Sequence, residues 1–146
     1  MKKVLGVIGL IVLIIIGLLL SLYFNEKNKM LKTAQETGYK VEKVTLNQGQ
    51  WGKTYNIYLP KNEVSIENIK SIAADITFKE QKGITFDNVE IFDNEALAKT
   101  WGSNNDKITK TDVIYELDHL ICEYTTMDWK LIAGKNYQSL NNINLK

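Results

Sequence analysis

The chain contains no arginine, and this absence limits the ligands that it can recognise. All 18 of its basic residues are lysines, so it lacks the planar guanidinium group that holds phosphates and guanine edges through two hydrogen bonds at once. Lys2 and Lys3 precede a long apolar segment, which leaves 16 lysines against all 17 acidic residues in the rest of the chain, a formal charge of −1. A domain without excess positive charge does not attract polyanions. We therefore expect no nucleic-acid partner.

Cysteine and histidine are almost as scarce. The single cysteine, Cys122, excludes an internal disulfide, and the single histidine, His119, lies near it in the sequence with Glu116, Asp118 and Glu123. This is the one stretch that brings a base, a thiol and carboxylates together. On a strand, however, His119 and Cys122 point to opposite faces, so they cannot share a metal ion or act as a Cys–His pair.

The sequence also lacks the motifs of common enzymes. It has no G-x-S-x-G nucleophile elbow, no phosphate-binding glycine loop, no H-E-x-x-H zinc motif and no EF-hand pattern. We therefore expect no catalytic residue, no metal site and no cofactor. A tethered hydrolase centred on His119 is kept as the third of three functional hypotheses.

What the chain does have is an uncharged apolar stretch of 21 residues that begins at Val4 and ends at Phe24. As a helix it would be roughly 30 Å long, which is the thickness of the hydrocarbon core of a bilayer. It is too long for the apolar part of a cleavable signal peptide, and no pair of small residues is placed for a signal peptidase. Tyr23 and Phe24 stand where interfacial aromatic residues are found. We expect residues 4–24 to be an uncleaved signal anchor in the lipid bilayer.

The orientation of this anchor does not follow from its flanking charges. Lys2, Lys3 and the terminal amine lie on one side, against Lys27, Lys29 and Lys32 on the other. The very short N-terminus resembles that of exported proteins whose apolar segment acts as the export signal. We therefore expect a single-pass protein of the cell membrane, with its N-terminus in the cytoplasm and its C-terminal domain outside.

The exposed part of the chain is expected to be a small α+β domain. Residues 25–38 continue the membrane helix as a stalk that stops at Gly38, and residues 39–137 form the domain. Its first half predicts strands over 39–46, 53–59 and 84–92 and one long amphipathic helix over 65–82. Because a helix separates the second and third strands, we expect a crossover that makes them parallel. The sheet is then a mixed sheet of about four or five strands.

The second half of the domain predicts a shorter helix over 94–101, capped by Asp93. Residues 113–125 read as one long strand or two, because the alternation of apolar residues changes phase near Asp118 and His119, which we interpret as a bulge or bend. A helix over 113–124 is the alternative. A strand over 129–133 follows, and residues 138–146, which are rich in Asn, are expected to form a flexible tail.

Three aromatic residues are the candidates for a binding surface. An aromatic ring presented by a turn can stack on a sugar or contact a protein, and Trp51 and Trp129 both stand beside turn residues. Tyr58 is the third candidate. Trp101 is instead expected in the core, because it lies four residues after Leu97 on the short helix.

The functional hypothesis is a binding or accessory module without catalysis of its own, which contacts another envelope protein or a cell-surface polymer. The alternative is a membrane-bound subunit of a larger machine, such as a secretion, conjugation or division complex. In that case the anchor would also pack against other membrane helices.

Overall fold

The computed structural model describes residues 2–46, 52–80, 87–102, 110–141, 143 and 145. Within these ranges the chain forms a long N-terminal helix followed by an α+β domain with a five-stranded mixed sheet. The α+β class is therefore confirmed. The helices and strands are, in chain order, α1 (Lys2–Glu36), β1 (Lys40–Leu46), β2 (Lys53–Tyr58), α2 (Ile66–Glu80), β3 (Asn88–Phe92), α3 (Glu95–Thr100), α4 (Lys110–His119), β4 (Leu120–Thr125) and β5 (Leu131–Ala133), with 3-10 turns at Lys61–Glu63 and Lys135–Leu140.

Helix α1 is long and apolar enough to cross a membrane. The large apolar side chains from Ile8 to Phe24 are all exposed, by 47% to 68%, so nothing in the described part of the chain covers them. The helix ends as predicted at Gly38, whose φ of 65° lies in the left-handed region that glycine adopts at helix C-termini.

The last turns of α1 pack on the domain. Ala34 is fully buried and Thr37 is 3% exposed, and the Thr37 hydroxyl donates a hydrogen bond of 2.7 Å to the Ala34 carbonyl. The Tyr39 hydroxyl, just beyond the helix, donates to the buried Asp75 carboxylate of α2. Residues 25–38 were predicted as a stalk, but the burial of Ala34 and Thr37 shows that the last turns of this segment pack on the domain.

The strands lie in the order β1-β2-β3-β4-β5. Only β2 and β3 are parallel, and the other three neighbouring pairs are antiparallel. The prediction of a parallel pair joined through α2 is therefore confirmed. The start of β1 pairs with the end of β2 through Lys40 and Tyr58, so α1 reaches the sheet at the edge where β2 and β3 end.

The two faces of the sheet differ in what covers them. One face packs against α2 and the end of α1, and its fully buried residues include Tyr55, Ile57, Val89 and Ile91 from the strands. The other face carries a smaller cluster at the end where α3 lies, with Phe92, Leu97, Ala98 and Leu120 buried and Tyr58 and Trp101 half-buried against them. Trp101 thus packs in the protein, as its spacing from Leu97 predicted.

The interpretation of residues 113–125 as a bent strand was wrong for residues 113–119, which are helical, whereas residues 120–125 form a strand as predicted. The helix α4 runs to His119, and the strand β4 starts at Leu120. The phase change near Asp118 and His119 marks this junction between helix and strand, and no bulge is needed to explain it. Val113, Ile114 and Leu117 have helical spacing and lie on one exposed side of α4, which fits the helix that the sequence left open as the alternative.

The C-terminal residues are also part of the fold. The sequence predicted a flexible tail over 138–146, but Leu140 and Leu145 are 5% and 8% exposed in the main core. The Leu145 amide donates to the Trp129 carbonyl, and the Ala133 amide donates to the Asn141 side chain. The terminal segment therefore covers the outer edge of β5, and its apolar residues outweigh the asparagines that suggested fraying.

Candidate functional site

A sheet with parallel strands usually binds ligands at the carboxyl ends of those strands, here the ends of β2 and β3. Lys61 follows β2 and Asp93 follows β3, so the parallel pairing brings the two side chains to the same edge. Two more elements reach this point. His119 ends α4, and Tyr137 lies in the last 3-10 turn.

Lys61, His119 and Tyr137 all contact the carboxylate of Asp93. Only 1% of the Asp93 side chain is exposed. The His119 Nδ1 lies 2.6 Å from one carboxylate oxygen. The Tyr137 hydroxyl donates to the other oxygen at 2.6 Å, and the Lys61 ammonium lies 3.3 Å from that same oxygen. Burial of the Tyr137 phenol and its hydrogen bond to Asp93 raise the pKa of Tyr137 well above its usual range. We call these four residues the Asp93 cluster.

The Asp93 cluster holds an imidazole in a defined orientation. A carboxylate on Nδ1 leaves Nε2 directed away as a hydrogen-bond acceptor, which is the arrangement of a general base. The His119 ring is 24% exposed and packs on Tyr115, with ring centroids 4.5 Å apart. Within the described ranges, however, no hydrogen bond joins His119 to a serine or threonine hydroxyl or to a cysteine thiol. A general base alone does not identify a reaction.

Cys122 does not supply the missing nucleophile. Its side chain is fully buried in the core on the α2 side of the sheet. Burial, and to a lesser extent the neighbouring Glu123 carboxylate, raise the pKa of the Cys122 thiol far above its usual range. The described residues contain no group of three His, Cys, Asp or Glu side chains placed to hold a metal ion.

A second polar site lies on the face of the sheet opposite α2. One row of paired residues crosses all five strands there: Lys43, Asn56, Glu90, Glu123 and Ile132. A cavity of about 200 Å³ opens beside this row between Glu90, Asn56 and Trp101. The Trp101 carbonyl accepts hydrogen bonds from the Lys43 ammonium at 2.6 Å and from the Asn56 amide at 3.0 Å.

Glu90 is the perturbed acid of this row. Burial, the facing Glu123 and the nearby Glu116 raise the pKa of Glu90 to about 7, although the Asn88 hydrogen bond and Lys43 act in the opposite direction. Burial followed by Glu123 also raises the pKa of Glu116. Like charges directly opposite each other on neighbouring strands destabilise a sheet. The row therefore favours the protonated form of Glu90 at any pH below about 7.

A larger cavity lies between the two long helices. It has a volume of about 580 Å³, and its walls come from α1 and α2. We call it the α1–α2 groove. Four of its residues are charged and four are neutral: Glu26, Lys29, Glu67 and Lys70, and Met30, Thr33, Ile66 and Ser71.

The candidate binding aromatics are not gathered in one place. Trp51 lies outside the described residues. Trp129 is half-buried, has a φ of 60° and stacks on the buried Tyr124, with ring centroids 6.2 Å apart. Tyr58 is half-buried in the smaller cluster, and the Lys40 ammonium lies 5.8 Å from its ring centroid. The two described rings therefore share much of their surface with the protein itself.

Sequence reasoning missed the Asp93 cluster. Asp93 was predicted to cap α3, but the cap is Asn94, whose side chain accepts a hydrogen bond from the Leu97 amide. This leaves the Asp93 carboxylate for partners 26 and 44 residues away. The one available signal was that Lys61 and Asp93 each follow a strand of the predicted parallel pair.

Comparison of the whole chain with protein-family models, with curated proteins and with solved structures gives no match. The geometry described above is therefore the basis for the proposals that follow.

Proposed function

We propose that the chain is a single-pass protein of the cell membrane whose C-terminal domain lies outside the cytoplasm and binds another envelope protein or a cell-surface polymer without catalysis of its own. The observation that carries this proposal is the division of α1 into an exposed apolar part and a part packed on the domain. From Ile8 to Phe24 its large apolar side chains have no protein partner among the described residues, whereas Ala34 is fully buried. A bilayer would cover the first part, because a water-exposed apolar surface of this size is strongly unfavourable.

An exposed apolar ridge on α4 supports the binding role. Val113, Ile114 and Leu117 are 39%, 49% and 43% exposed, and at 100° per residue they lie within one quarter to one third of the helix circumference. Exposed apolar patches of this kind mark protein–protein contacts in soluble domains. A saccharide polymer would instead stack on exposed aromatic rings. The candidate rings Tyr58 and Trp129 are half-buried, and Tyr115 on α4, which is 48% exposed, packs on the His119 ring. Of the two partner classes, the ridge favours a protein.

Crosslinking in intact cells tests this proposal. A photoreactive amino acid at Ile114 is expected to capture one specific protein. Leu46 is the matched control because it is also aliphatic and is 73% exposed, but it lies on β1 at the opposite edge of the sheet. Capture of the same proteins at both positions would mean that the ridge is an ordinary exposed surface.

The alternative, a subunit of a membrane-bound machine, is supported by the direct packing of α1 on α2. The buried Ala34 and the Tyr39–Asp75 contact connect the apolar helix to the domain. Replacement of residues 4–24 by a cleavable export signal separates the two proposals. A binding module keeps part of its function after this replacement, whereas a subunit that depends on its membrane helix loses all of it.

The third hypothesis, a tethered hydrolase, is supported only by the contact between His119 and Asp93. The variant His119→Ala removes the imidazole at a position that is 24% exposed. Binding activity should be unchanged in a correctly folded His119→Ala protein. A complete loss of an otherwise measurable hydrolytic activity would favour the hydrolase.

A further inference from the structure

The α1–α2 groove begins next to the end of the apolar stretch. Its first α1 residue, Glu26, comes two residues after Phe24, and its last, Thr33, comes nine residues after Phe24. At 1.5 Å per residue these positions lie about 3 Å and about 14 Å further along the helix axis. The headgroup layer on each side of a bilayer is about 5 to 8 Å thick. If Phe24 lies at the boundary of the hydrocarbon core, the first half of the groove lies within the headgroup layer.

The direction in which α2 runs along the groove follows from its contacts with α1. Residues 26–33 of α1 face residues 66–71 of α2, and Tyr39 beyond the end of α1 contacts Asp75 further along α2. The two helices therefore run side by side in the same direction. This places Ile66, at the start of α2, at the end of the groove nearest the bilayer, where its side chain is 45% exposed.

The charges of the groove suit a zwitterionic headgroup. Lys29 and Lys70 provide two ammonium groups, and Glu26 and Glu67 provide two carboxylates. No ion pair within the described ranges joins any of these four side chains to another residue. A phospholipid with a phosphate and a primary amine offers the opposite charge to each pair.

The neutral residues of the groove complement the rest of such a lipid. The hydroxyls of Thr33 and Ser71 are donors for phosphate oxygens, and Met30 and Ile66 offer apolar surface to the glycerol end of the acyl chains. The volume of about 580 Å³ lies within the range of small-molecule sites.

From this arrangement we infer that the α1–α2 groove binds the headgroup of one aminophospholipid from the bilayer that α1 spans. The inference rests on the proposed membrane anchoring. The bound lipid would fill the gap between the anchor and the domain, and it would stabilise the angle at which α1 enters α2.

Photocrosslinking of the full chain in lipid nanodiscs tests the inference. The discs contain phosphatidylcholine, and one of two probes is added in trace amount: an aminophospholipid with a photoreactive group near the headgroup, or one with the group in an acyl chain. Peptide mapping then gives the labelled residues. The headgroup probe is expected to label the peptides that contain residues 26–33 and 66–71, and excess phosphatidylethanolamine, but not phosphatidylcholine, is expected to compete.

The variant Lys29→Ala/Lys70→Ala removes both ammonium groups from the groove. Each lysine near a lipid phosphate contributes about fivefold in affinity, so headgroup labelling of the groove should fall by about tenfold or more. Both side chains are at least partly exposed, so the variant should fold. The control Lys32→Ala/Lys130→Ala changes the charge equally at two exposed lysines outside the groove and should keep full labelling.

Two results would overturn the inference. Equal headgroup labelling in both double variants, spread around the whole circumference of α1, would indicate ordinary contact with the bilayer surface. Labelling of α1 by the acyl-chain probe without headgroup labelling of the groove would leave the anchor intact and reject the lipid site. Failure of the acyl-chain probe to label any residue between Ile8 and Phe24 would reject the membrane anchoring itself.

Discussion

The row of polar residues on the open face of the sheet predicts an unusual dependence of stability on pH. The Glu90 carboxyl has its pKa raised from an ordinary value of 4.5 to about 7, chiefly by burial and then by Glu123 and Glu116. An acid whose pKa is raised by folding contributes most to stability below its unfolded pKa. That contribution is lost as the pH rises from about 4.5 to about 7, because the folded protein must then hold a buried charge.

The magnitude of this loss follows from the difference between the two pKa values. At about 1.4 kcal/mol for each pH unit, the contribution of Glu90 to the free energy of unfolding should be about 3 kcal/mol lower above pH 7 than below pH 4.5. The variant Glu90→Gln removes the ionisable group, and its side-chain oxygen can still accept the hydrogen bond of 3.0 Å from the Asn88 amide. We expect Glu90→Gln to match the wild type at about pH 4 and to exceed it by about 3 kcal/mol at about pH 8.

Urea unfolding of the detergent-solubilised full chain, followed by tryptophan fluorescence, measures this difference at each pH. The control Glu26→Gln changes an exposed carboxylate and should leave the pH dependence as it is in the wild type. If the free energies of unfolding of the wild type and Glu90→Gln differ by the same amount at every pH, Glu90 is not a buried acid beside other carboxylates. The description of the sheet face opposite α2 would then be wrong.

Three further predictions concern other parts of the fold. Gly134→Ala would place a Cβ 1.8 Å from the Leu120 carbonyl oxygen, so the backbone must shift. Calorimetry should show that the free energy of unfolding falls by about 3 kcal/mol or more. An unchanged melting temperature would contradict this close contact. Cys122 should not react with a thiol reagent until the protein is denatured, because its thiol is buried with a raised pKa; rapid labelling of the native chain would show that the core is open. Asp93→Ala removes the acceptor shared by His119, Tyr137 and Lys61. The free energy of unfolding, measured in urea, should fall by about 2 to 4 kcal/mol. An unchanged free energy would mean that the Asp93 cluster is not formed.

The parts of the fold that could be predicted are those with local signals. The apolar stretch, the stop at Gly38 and the helix between two strands are each visible within a short window of sequence. Helix α4 could not be assigned in this way, because Val113, Tyr115 and Leu117 alternate as in a strand, while Val113, Ile114 and Leu117 also have helical spacing. The C-terminal segment was misjudged because Leu140 and Leu145 pack against residues that come earlier in the chain.

The candidate sites depend almost entirely on distant residues. Asp93 meets His119 and Tyr137 only because β3, α4 and the last 3-10 turn converge at one edge of the sheet. The acidic pair of Glu90 and Glu123 depends on the register between β3 and β4. The α1–α2 groove depends on residues 26–33 and 66–71, which are distant in the chain, lying side by side. None of these juxtapositions has a signature in the spacing of the residues.

The central claim is that α1 passes from the bilayer into the domain as one continuous helix. A scan of single cysteines along α1, each carrying a spin label in a lipid bilayer, tests it directly, and the buried Cys122 should remain unlabelled in the folded protein. Labels from Ile8 to Phe24 should all be accessible to lipid-soluble oxygen. Beyond Glu26, the accessibility of the labels to water should vary with a period of about 3.6 residues, with a minimum at Ala34. Uniform accessibility to water from Glu26 to Glu36, or no access to oxygen from Ile8 to Phe24, would contradict the claim.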